Sequence, residues 1–268
     1  QVHGLPDLDQ SIEEVYRYLL ERSLFWQGFT NLKGFRIDAI RHMNNRFLSR
    51  ISNDLHREIG EEFWLLGEDF QGNPMALAER AEKINADALF DFPLYYAMTD
   101  VFCDQKSVEN IAVILSADRY YPEDFQPVTF LDNHDLPRIH SRCPSEELVD
   151  QALLFQFAVR GLPMITYGLE ARLTGKAEPE NRKSLRWDSP TPLYSQIKTL
   201  RDLRVKYPVL EKGVGSIVAL SDNLLIYRQS LGDQHSYIAI NQGEHPVDIP
   251  LPGEAKILEI QGKSDSLS

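Results

Sequence analysis

Residues 34–42 read GFRIDAIRH and residues 63–68 read FWLLGE, so two short apolar runs each lead into a carboxylate, Asp38 in the first and Glu68 in the second. Continuous apolar runs are typical of strands that are buried on both faces, as in parallel sheets. In parallel α/β proteins, ligands and catalytic groups collect at the carboxyl ends of the strands. The two runs therefore predict strands that bring acidic side chains to one edge of a sheet.

The expected separation of these carboxylates indicates a type of reaction. If the two strands are neighbours, their backbones lie about 4.8 Å apart. A retaining glycosidase needs two carboxyl groups roughly 5 to 5.5 Å apart, one to attack the anomeric carbon and one to protonate the leaving oxygen. Asp38 and Glu68 can fill these two roles, and the sequence therefore predicts sugar chemistry.

Arg36 is predicted to belong to the same site. It stands two residues before Asp38, and alternate residues of a strand point to the same face, so its guanidinium is expected beside that carboxylate. A neighbouring cation favours the ionised form of an acid. Glu68 follows a run that contains Trp64 and Leu66, and we expect less positive charge near it, as a proton donor requires.

A second polar cluster follows another apolar run, at residues 128–131. It reads Asp132-Asn133-His134-Asp135 and is predicted to lie at a further strand end. Asp135 and His134 are suited to bind sugar hydroxyls, and bonds to the 2-hydroxyl that strengthen in the transition state contribute to catalysis of this kind. The cluster therefore predicts the sugar-binding part of the site.

Each of these residues also has a simpler interpretation. A single Asp at a strand end is commonly a helix N-cap, and a single Glu or Arg is commonly half of a structural ion pair. The same side chains can bind Zn²⁺ or Mg²⁺, although the sequence has no His-x-x-x-His pair and no close set of Cys and His. Trp26, Trp64 and Trp187 are expected in the core rather than in a sugar platform. The joint pattern at three strand ends favours catalysis.

The composition limits the partners. Acidic residues number 40 against 28 basic ones, and the net charge of −12 disfavours binding to nucleic acid or anionic lipid. No apolar stretch approaches the roughly 18 residues that read as a membrane span, so we expect a soluble chain without membrane association. Cys103 and Cys143 could pair, but two thiols this far apart in the chain are more often unpaired.

The first two thirds of the chain alternate helical and strand patterns, as expected for a parallel α/β architecture. Apolar residues at helical spacing predict a first helix from about Ile12, with Ser11 and Glu14 at the spacing of a capping box. Asn73 and Pro74 predict the start of another helix. The predicted strands cover residues 34–38, 63–68, 88–92, 128–131 and 161–168. Such strands fit an open doubly wound sheet or part of a barrel, and no Gly-rich phosphate loop supports the open sheet.

The pattern changes after Pro208. Short strands with turn residues between them predict a small antiparallel β domain, with hairpin links at Ser221-Asp222-Asn223 and Leu231-Gly232-Asp233. The predicted strands cover residues 217–220, 224–228, 237–241, 247–251 and 257–260.

At these motifs the sequence resembles the α-amylase family, glycoside hydrolase family 13. The motifs occur in the family's order and cover nearly the whole chain. LPDLD at 5–9 is similar to the motif before the second conserved region, with Asp9 where Asn is common. GFRIDAIRH at 34–42 resembles the second region, and LGE at 66–68 resembles the third. FLDNHD at 130–135 resembles the fourth region, and GLPMITYGLE at 161–170 resembles the motif of the eighth strand.

The resemblance implies roles for individual residues. Asp38 would be the nucleophile, Glu68 the acid and base, and Asp135 the third carboxylate, which stabilises the transition state. The implied substrate-binding residues are Arg36, Arg41, His42 and His134.

The resemblance also implies a (β/α)₈ TIM barrel in residues 1–208 and a small antiparallel β-sandwich in residues 209–268. The five predicted strands would be barrel strands four to eight. Nothing in residues 1–33 resembles the family's first region, so we expect the N-terminal half of the barrel on a longer parent chain. In many amylases the carbonyl at the His42-like position binds structural Ca²⁺ together with groups from that half. We therefore expect no cofactor on this chain, and structural Ca²⁺ stays an open alternative that the residues of this chain do not support.

The implied function is a retaining α-glycoside hydrolase that acts on α-glucans or malto-oligosaccharides. One alternative is a transglycosylase or isomerase of the same family, because the same carboxylates serve both fates of the covalent intermediate. The other is a non-catalytic relative that uses the barrel as an interaction domain. Such relatives have usually lost the acids that this chain keeps.

Overall fold

The computed structural model describes residues 8–122 and 125–249. The chain forms two compact units, and each has its own hydrophobic core. The first unit runs to Phe92 and includes Tyr120–Pro127; the second comprises Pro93–Arg119 and the chain from Val128 onward.

The first unit is a three-stranded parallel sheet with helices in its connections. The strand order is β1-β2-β3, and both pairings are parallel. A parallel pair needs a long crossover, usually helical, and the alternation of helical and strand patterns in the sequence agrees with the crossovers observed. Its elements are α1 (Glu13–Thr30), β1 (Gly34–Ile37), α2 (Asn45–Ile59), β2 (Trp64–Gly67), α3 (Pro74–Ile84) and β3 (Ala88–Leu89).

The core of the first unit joins the apolar faces of its helices to the sheet. The strands contribute Leu65 and Leu89, which are almost completely buried. The helices contribute residues three and four positions apart, which is the spacing of one helix face. They are Phe47, Leu48, Ile51 and Leu55 from α2 and Leu77, Ala81 and Ile84 from α3.

The two predicted helix starts have different outcomes. Asn73 caps α3 by accepting from the backbone N–H groups of Met75 and Ala76, as predicted. The capping box of α1 is wrong, because Ser11 directs both its hydroxyl and its N–H to the carboxylate of Asp9. That local turn competes with capping for the same polar groups.

The second unit carries the remaining helices, a parallel strand pair and an antiparallel sheet. β4 pairs with β5 in parallel, and the order of the other sheet is β6-β7-β8. Its elements, from the residue at the unit boundary onward, are α4 (Phe92–Met98), a π-helix (Thr99–Cys103), α5 (Glu109–Ser116), β4 (Val128–Thr129), α6 (Ile139–Arg142), α7 (Glu146–Ala158), β5 (Leu162–Pro163), α8 (Tyr194–Lys206), α9 (Val209–Lys212), β6 (Val214–Ser221), β7 (Leu224–Leu231) and β8 (Gln234–Asn241).

Three of the predicted parallel strands are shorter than expected. The strand predicted at 88–92 ends at Leu89, because Pro93 lies in the first turn of α4, where proline is favoured. The strands predicted at 128–131 and 161–168 have two ladder residues each. At the ends of these ladders, the side-chain amide of Gln156 donates to the carbonyls of Thr129 and Met164 at 2.9 Å each.

The antiparallel sheet confirms both predicted hairpins. Ser221 pairs with Leu224 and Leu231 pairs with Gln234, which leaves two-residue turns. The next predicted strand, 247–251, is not formed at residues 247–249, and the rest of it, with 257–260, lies outside the described residues. The domain boundary at residue 208 and the sandwich therefore stay predictions.

The structure corrects the expectation for the cysteines. Cys103 and Cys143 form a disulfide that joins the end of the π-helix to the residue after α6, with their Cα atoms 4.2 Å apart. Arg142 and Asp104, the adjacent residues, form an ion pair at the same junction. Separation along the sequence, 40 residues here, does not measure separation in the fold.

The expectation that the tryptophans lie in the core is also wrong for two of them. Trp187 is fully exposed and the exposed fraction of Trp26 is 53%. Trp64, on β2, is half-buried. Among the described helices, none is both long and apolar enough to span a bilayer.

Candidate active site

The carboxylates of Asp38 and Glu68 follow two paired strands at the same level. The register of β1 and β2 places Arg36 opposite Leu66 and Ile37 opposite Gly67, so the next residue of each strand is one of the two acids. The two strands are neighbours in the sheet. The structure therefore brings the two predicted acids to one edge of the first unit's sheet.

Arg36 bridges the two acids. One guanidinium nitrogen forms an ion pair with the carboxylate of Asp38, and Nη2 lies 2.6 Å from Oε1 of Glu68. The expectation of less positive charge near Glu68 is wrong, because a planar guanidinium has donors on several sides and reaches both strand ends. The guanidinium also lies 5.9 Å from the ring centroid of Phe90.

Glu68 is held at both carboxylate oxygens and at its backbone. Its Oε2 accepts from the backbone N–H of Ala39 at 3.1 Å, and its backbone exchanges hydrogen bonds with Ile37 and Ile40. Its side chain is 9% exposed, whereas the side chain of Asp38 is 69% exposed. One carboxylate is therefore fixed and covered, and the other is open to an incoming molecule.

The backbone of Ala39 makes this arrangement possible. Ala39 has φ 48° and ψ 39°, a left-handed conformation that is uncommon for a residue with a Cβ. The turn aims its N–H at Glu68 and starts a short 3₁₀ helix, Ile40–His42. Strain of this kind commonly occurs at functional sites.

The other two predicted sugar-binding residues of the first unit lie in this 3₁₀ helix. Arg41 donates to the carbonyl of Phe70 at 2.9 Å and so ties the segment after β1 to the segment after β2. His42 is exposed. Contact of either residue with a sugar stays a prediction.

Asp69 is a site neighbour that the strand pattern does not single out. It is 2% exposed and pairs with Arg80, whose Nε lies 3.2 Å from Oδ2. The other carboxylate oxygen, Oδ1, is buried without a hydrogen-bond partner. The only signal in the sequence is its position directly after Glu68, which does not distinguish a buried anchor from a surface residue.

In the second unit, Asp132 acts as an anchor for the polar cluster. Its Oδ2 accepts from the N–H of Ile139 at 2.8 Å and lies 3.5 Å from Nε of the fully buried Arg138. Burial raises the pKa of the Asp132 carboxyl, although the Arg138 charge and the N–H of Ile139 act in the opposite direction. Asp132 therefore holds the turn that carries the two residues predicted to bind sugar.

Those two residues contact each other. Nε2 of His134 lies 3.1 Å from Oδ2 of Asp135, and Nη2 of Arg182 lies 2.6 Å from Oδ1 of the same carboxylate. The backbone N–H of Asp135 donates to the side chain of Asn133 at 2.8 Å. Sequence reasoning misses Arg182, which is 47 residues away from Asp135 and lies in no recognised motif.

The structure thus forms two groups of candidate residues, one in each unit: Asp38, Glu68 and Arg36 in the first, and His134, Asp135 and Arg182 in the second. That the two groups belong to one active site stays a prediction. Within the described ranges, no three His, Cys, Asp or Glu side chains come together as candidate metal ligands. The expectation that the chain needs no cofactor also stays a prediction.

The amino-acid sequence matches the family model of the α-amylase catalytic domain over residues 1–191. The chain belongs to the α-amylase family, glycoside hydrolase family 13.

Individual relatives extend over most of this chain. A cyclomaltodextrin glucanotransferase of Klebsiella oxytoca is 29% identical over 290 residues, which cover 90% of this chain and 43% of the relative. A cyclomaltodextrinase of Geobacillus thermopakistaniensis is 29% identical over 265 residues, which cover 95% of this chain and 44% of the relative. The chain spans less than half the length of these two relatives.

The solved structures agree with this assignment. The crystal structure of an α-amylase from Geobacillus thermoleovorans, complexed with acarbose, superposes with a TM-score of 0.82 at 26% identity, over 90% of this chain and 55% of that one. Such structural neighbours are TIM-barrel proteins of the α-amylase family, which confirms the fold class at that level.

Proposed function

We propose that this chain carries the catalytic carboxylates of a retaining α-glycoside hydrolase that acts on α-glucans or malto-oligosaccharides. The observation that carries the proposal is the Arg36 guanidinium, which joins Asp38 and Glu68 at the ends of two adjacent parallel strands. Adjacent strand ends place the two carboxyl groups close together, as the retaining reaction requires. Membership of the α-amylase family supports the same chemistry.

In the proposed reaction, Asp38 attacks the anomeric carbon while Glu68 protonates the leaving glycosidic oxygen. The attacking carboxylate is the exposed one, which a bulky sugar carbon can approach. The resulting covalent glycosyl ester is then hydrolysed by a water molecule that Glu68 deprotonates. The fixed position of Glu68, held by Arg36 and the Ala39 N–H, suits a group that first gives and then takes a proton at one place.

Asp135 and His134 have the role of sugar binding in this proposal. A carboxylate and an imidazole in contact can accept from and donate to neighbouring hydroxyl groups. Bonds of this type that strengthen as charge develops on the sugar ring lower the activation free energy.

The proposal includes the larger architecture. β1 to β5 would be strands four to eight of the barrel, and the chain beyond residue 208 would form the C-terminal β domain. The N-terminal part of the barrel would pair with β1, whose partner in the described sheet is β2 alone. The length of the relatives supports this arrangement, because this chain covers 43% and 44% of two of them.

A second candidate reaction is transglycosylation. Several relatives are named cyclomaltodextrin glucanotransferases, including the one from Klebsiella oxytoca. The same glycosyl ester would form, and a sugar hydroxyl would then replace water as the acceptor. Product analysis after incubation with maltotriose or a cyclodextrin separates the two reactions, since transfer yields oligosaccharides longer than the substrate.

The test compares Asp38→Asn and Glu68→Gln with Asp188→Asn, in the 268-residue chain and in the parent chain that contains it. Asp188 is a matched control, because it is an exposed Asp that pairs with an Arg two residues earlier, as Asp38 does. We expect the first two variants to lose turnover and the control to keep it. An activated fluorinated glycosyl substrate should label Asp38, as detected by peptide mass spectrometry.

Two results would contradict the proposal. Near-normal hydrolysis by Asp38→Asn would remove this residue as the nucleophile. A parent chain with neither turnover nor labelling would favour the non-catalytic relative.

A further inference from the structure

A loop at residues 175–182 is bonded to the segment that carries His134 and Asp135. At one end of this loop, the N–H of Gly175 donates to Oγ of Ser141 at 2.8 Å, and its carbonyl accepts from the N–H of Arg138 at 2.9 Å. At the other end, Nδ2 of the buried Asn181 donates to the carbonyl of His134 at 2.9 Å. The 175–182 loop is therefore fixed to the candidate sugar-binding segment at both of its ends.

Arg182 ends this loop and makes two contacts with the same segment. Its Nε donates to the backbone carbonyl of His134 at 3.1 Å, and its Nη2 lies 2.6 Å from Oδ1 of Asp135. The Arg182 guanidinium thus connects the main chain of His134 to the side chain of Asp135. Lysine cannot reproduce this double contact, because it presents a single ammonium group.

Both oxygens of the Asp135 carboxylate are therefore occupied. Arg182 contacts Oδ1 and His134 contacts Oδ2. A carboxylate that is held from two sides has one preferred orientation. Without Arg182, rotation about the side-chain bonds would be opposed by the His134 contact alone.

We propose that Arg182 is a positioning residue that orients Asp135 and His134 for sugar binding. This inference rests on the proposed function, in which these two residues bind the sugar. Arg182 acts through them, and it fixes the direction in which the carboxylate and the imidazole face the substrate. Since misplacement of a catalytic group by about 1 Å can lower a rate roughly 10²-fold, we expect loss of the contact to lower turnover by about 10- to 100-fold.

The stability of the chain should change little. The Arg182 side chain is 42% exposed and Asp135 is 35% exposed, and ion pairs this exposed contribute little to folding. Arg182 also lies 3.8 Å from Glu178 within its own loop. A purely structural role of that internal contact would affect thermal unfolding rather than turnover.

The test compares Arg182→Met with Arg186→Met, both made in the parent chain. Arg186 is a matched control, because it follows in the same segment and pairs with Asp188 without contacting His134 or Asp135. We expect the first variant to lower turnover on maltotriose by about 10- to 100-fold with an unchanged thermal midpoint, and Arg182→Lys to restore only part of the lost turnover. In an Asp135→Asn background, Arg182→Met should have a smaller effect than in the unsubstituted protein, since the ion pair between the two side chains is already lost and only the contact with the His134 carbonyl remains to be removed.

A second measurement does not need turnover. In long-range ¹H–¹⁵N spectra of the imidazole nitrogens, Arg182→Met should shift the signals of His134, and Arg186→Met should leave them unchanged. Unchanged His134 signals in Arg182→Met would overturn the proposal, as would an equal loss of turnover in both arginine variants. Shifted signals in a parent chain that shows no turnover would support the positioning role and contradict the proposed function instead.

Discussion

Arg36 connects both candidate catalytic carboxylates. The strand period predicts its contact with Asp38, because the two residues belong to one strand and face the same way. Its contact with Glu68 depends on how β1 and β2 are aligned, and the alternation of side chains within one strand does not predict that alignment. A single guanidinium therefore holds an exposed and a buried carboxylate at the same sheet edge.

His140 makes stability depend on pH. Burial, and next the positive charge of Arg172, lower its pKa from 6.5 to about 4. Between these two values the unfolded chain binds a proton that the folded chain does not, so stability from this group is present above pH 6.5 and is lost as the pH falls toward 4. We expect His140→Gln to reduce the fall in thermal midpoint between pH 7 and pH 5.

His235 offers the control for this experiment, because it is exposed and contacts the hydroxyl of Ser230 at 2.9 Å. His235→Gln should leave the fall in thermal midpoint as it is in the unsubstituted chain. The same fall in His140→Gln as in the unsubstituted chain would show that other groups cause the acid sensitivity.

At the scale of elements, the contact between β1 and β2 depends on Gly34. A Cβ at this position would overlap the backbone oxygen of Trp64, which cannot move without moving β2. Gly34→Ala should therefore lower the free energy of unfolding by about 1 to 3 kcal/mol, as overpacking does. It should lower turnover further than stability predicts, because β1 and β2 carry the two candidate acids.

Gly28 is the matched control for this substitution. It lies in the last turn of α1, and a Cβ there would meet nothing within 4 Å. Gly28→Ala should raise the free energy of unfolding by about 0.5 to 1 kcal/mol, because glycine is unfavourable inside a helix. Chemical denaturation measures both changes, and a Gly34→Ala variant as stable as Gly28→Ala would contradict the close packing of the strands.

At the scale of the whole molecule, α1 presents an aromatic face made of Phe25, Trp26 and Phe29. The exposed fractions of these residues are 50%, 53% and 73%, and their ring centroids lie 5.5 to 6.0 Å apart. Contiguous exposed apolar patches commonly mark interaction surfaces. The aromatic face precedes β1, the strand to which the proposed N-terminal barrel units would pair.

We expect the double substitution Trp26→Gln with Phe29→Ser to reduce self-association and dye binding of the 268-residue chain without lowering its thermal midpoint. In the parent chain the same substitution should lower the thermal midpoint, because the face would be buried there. Light scattering, dye fluorescence and thermal unfolding measure these effects. Trp187→Gln is the control, since Trp187 is fully exposed; equal effects of both changes would contradict a specific role for the aromatic face.

The sequence predicted those parts of the fold that depend on local spacing. Apolar residues at helical spacing predicted α1, and Asn73 with Pro74 predicted where α3 begins. The turn residues after Ser221 and Leu231 predicted both hairpins. Strand ends were less predictable, because the number of residues of an apolar run that pair depends on the neighbouring strand, and β4 and β5 each pair over two residues only.

By itself, the sequence determined the family, the alternation of helices with parallel strands, and the positions of Asp38 and Glu68 directly after two strands, because periodicity and short motifs are properties of neighbouring residues. It placed Asp135 less closely, since that residue follows the end of β4 by six positions. Only the tertiary structure decided what each of these acids contacts. The bonds of Arg36 to Glu68 and of Arg182 to Asp135, and the disulfide of Cys103 with Cys143, join residues 32, 47 and 40 positions apart. Such contacts depend on distances through space, which the register of strands and the packing of loops determine.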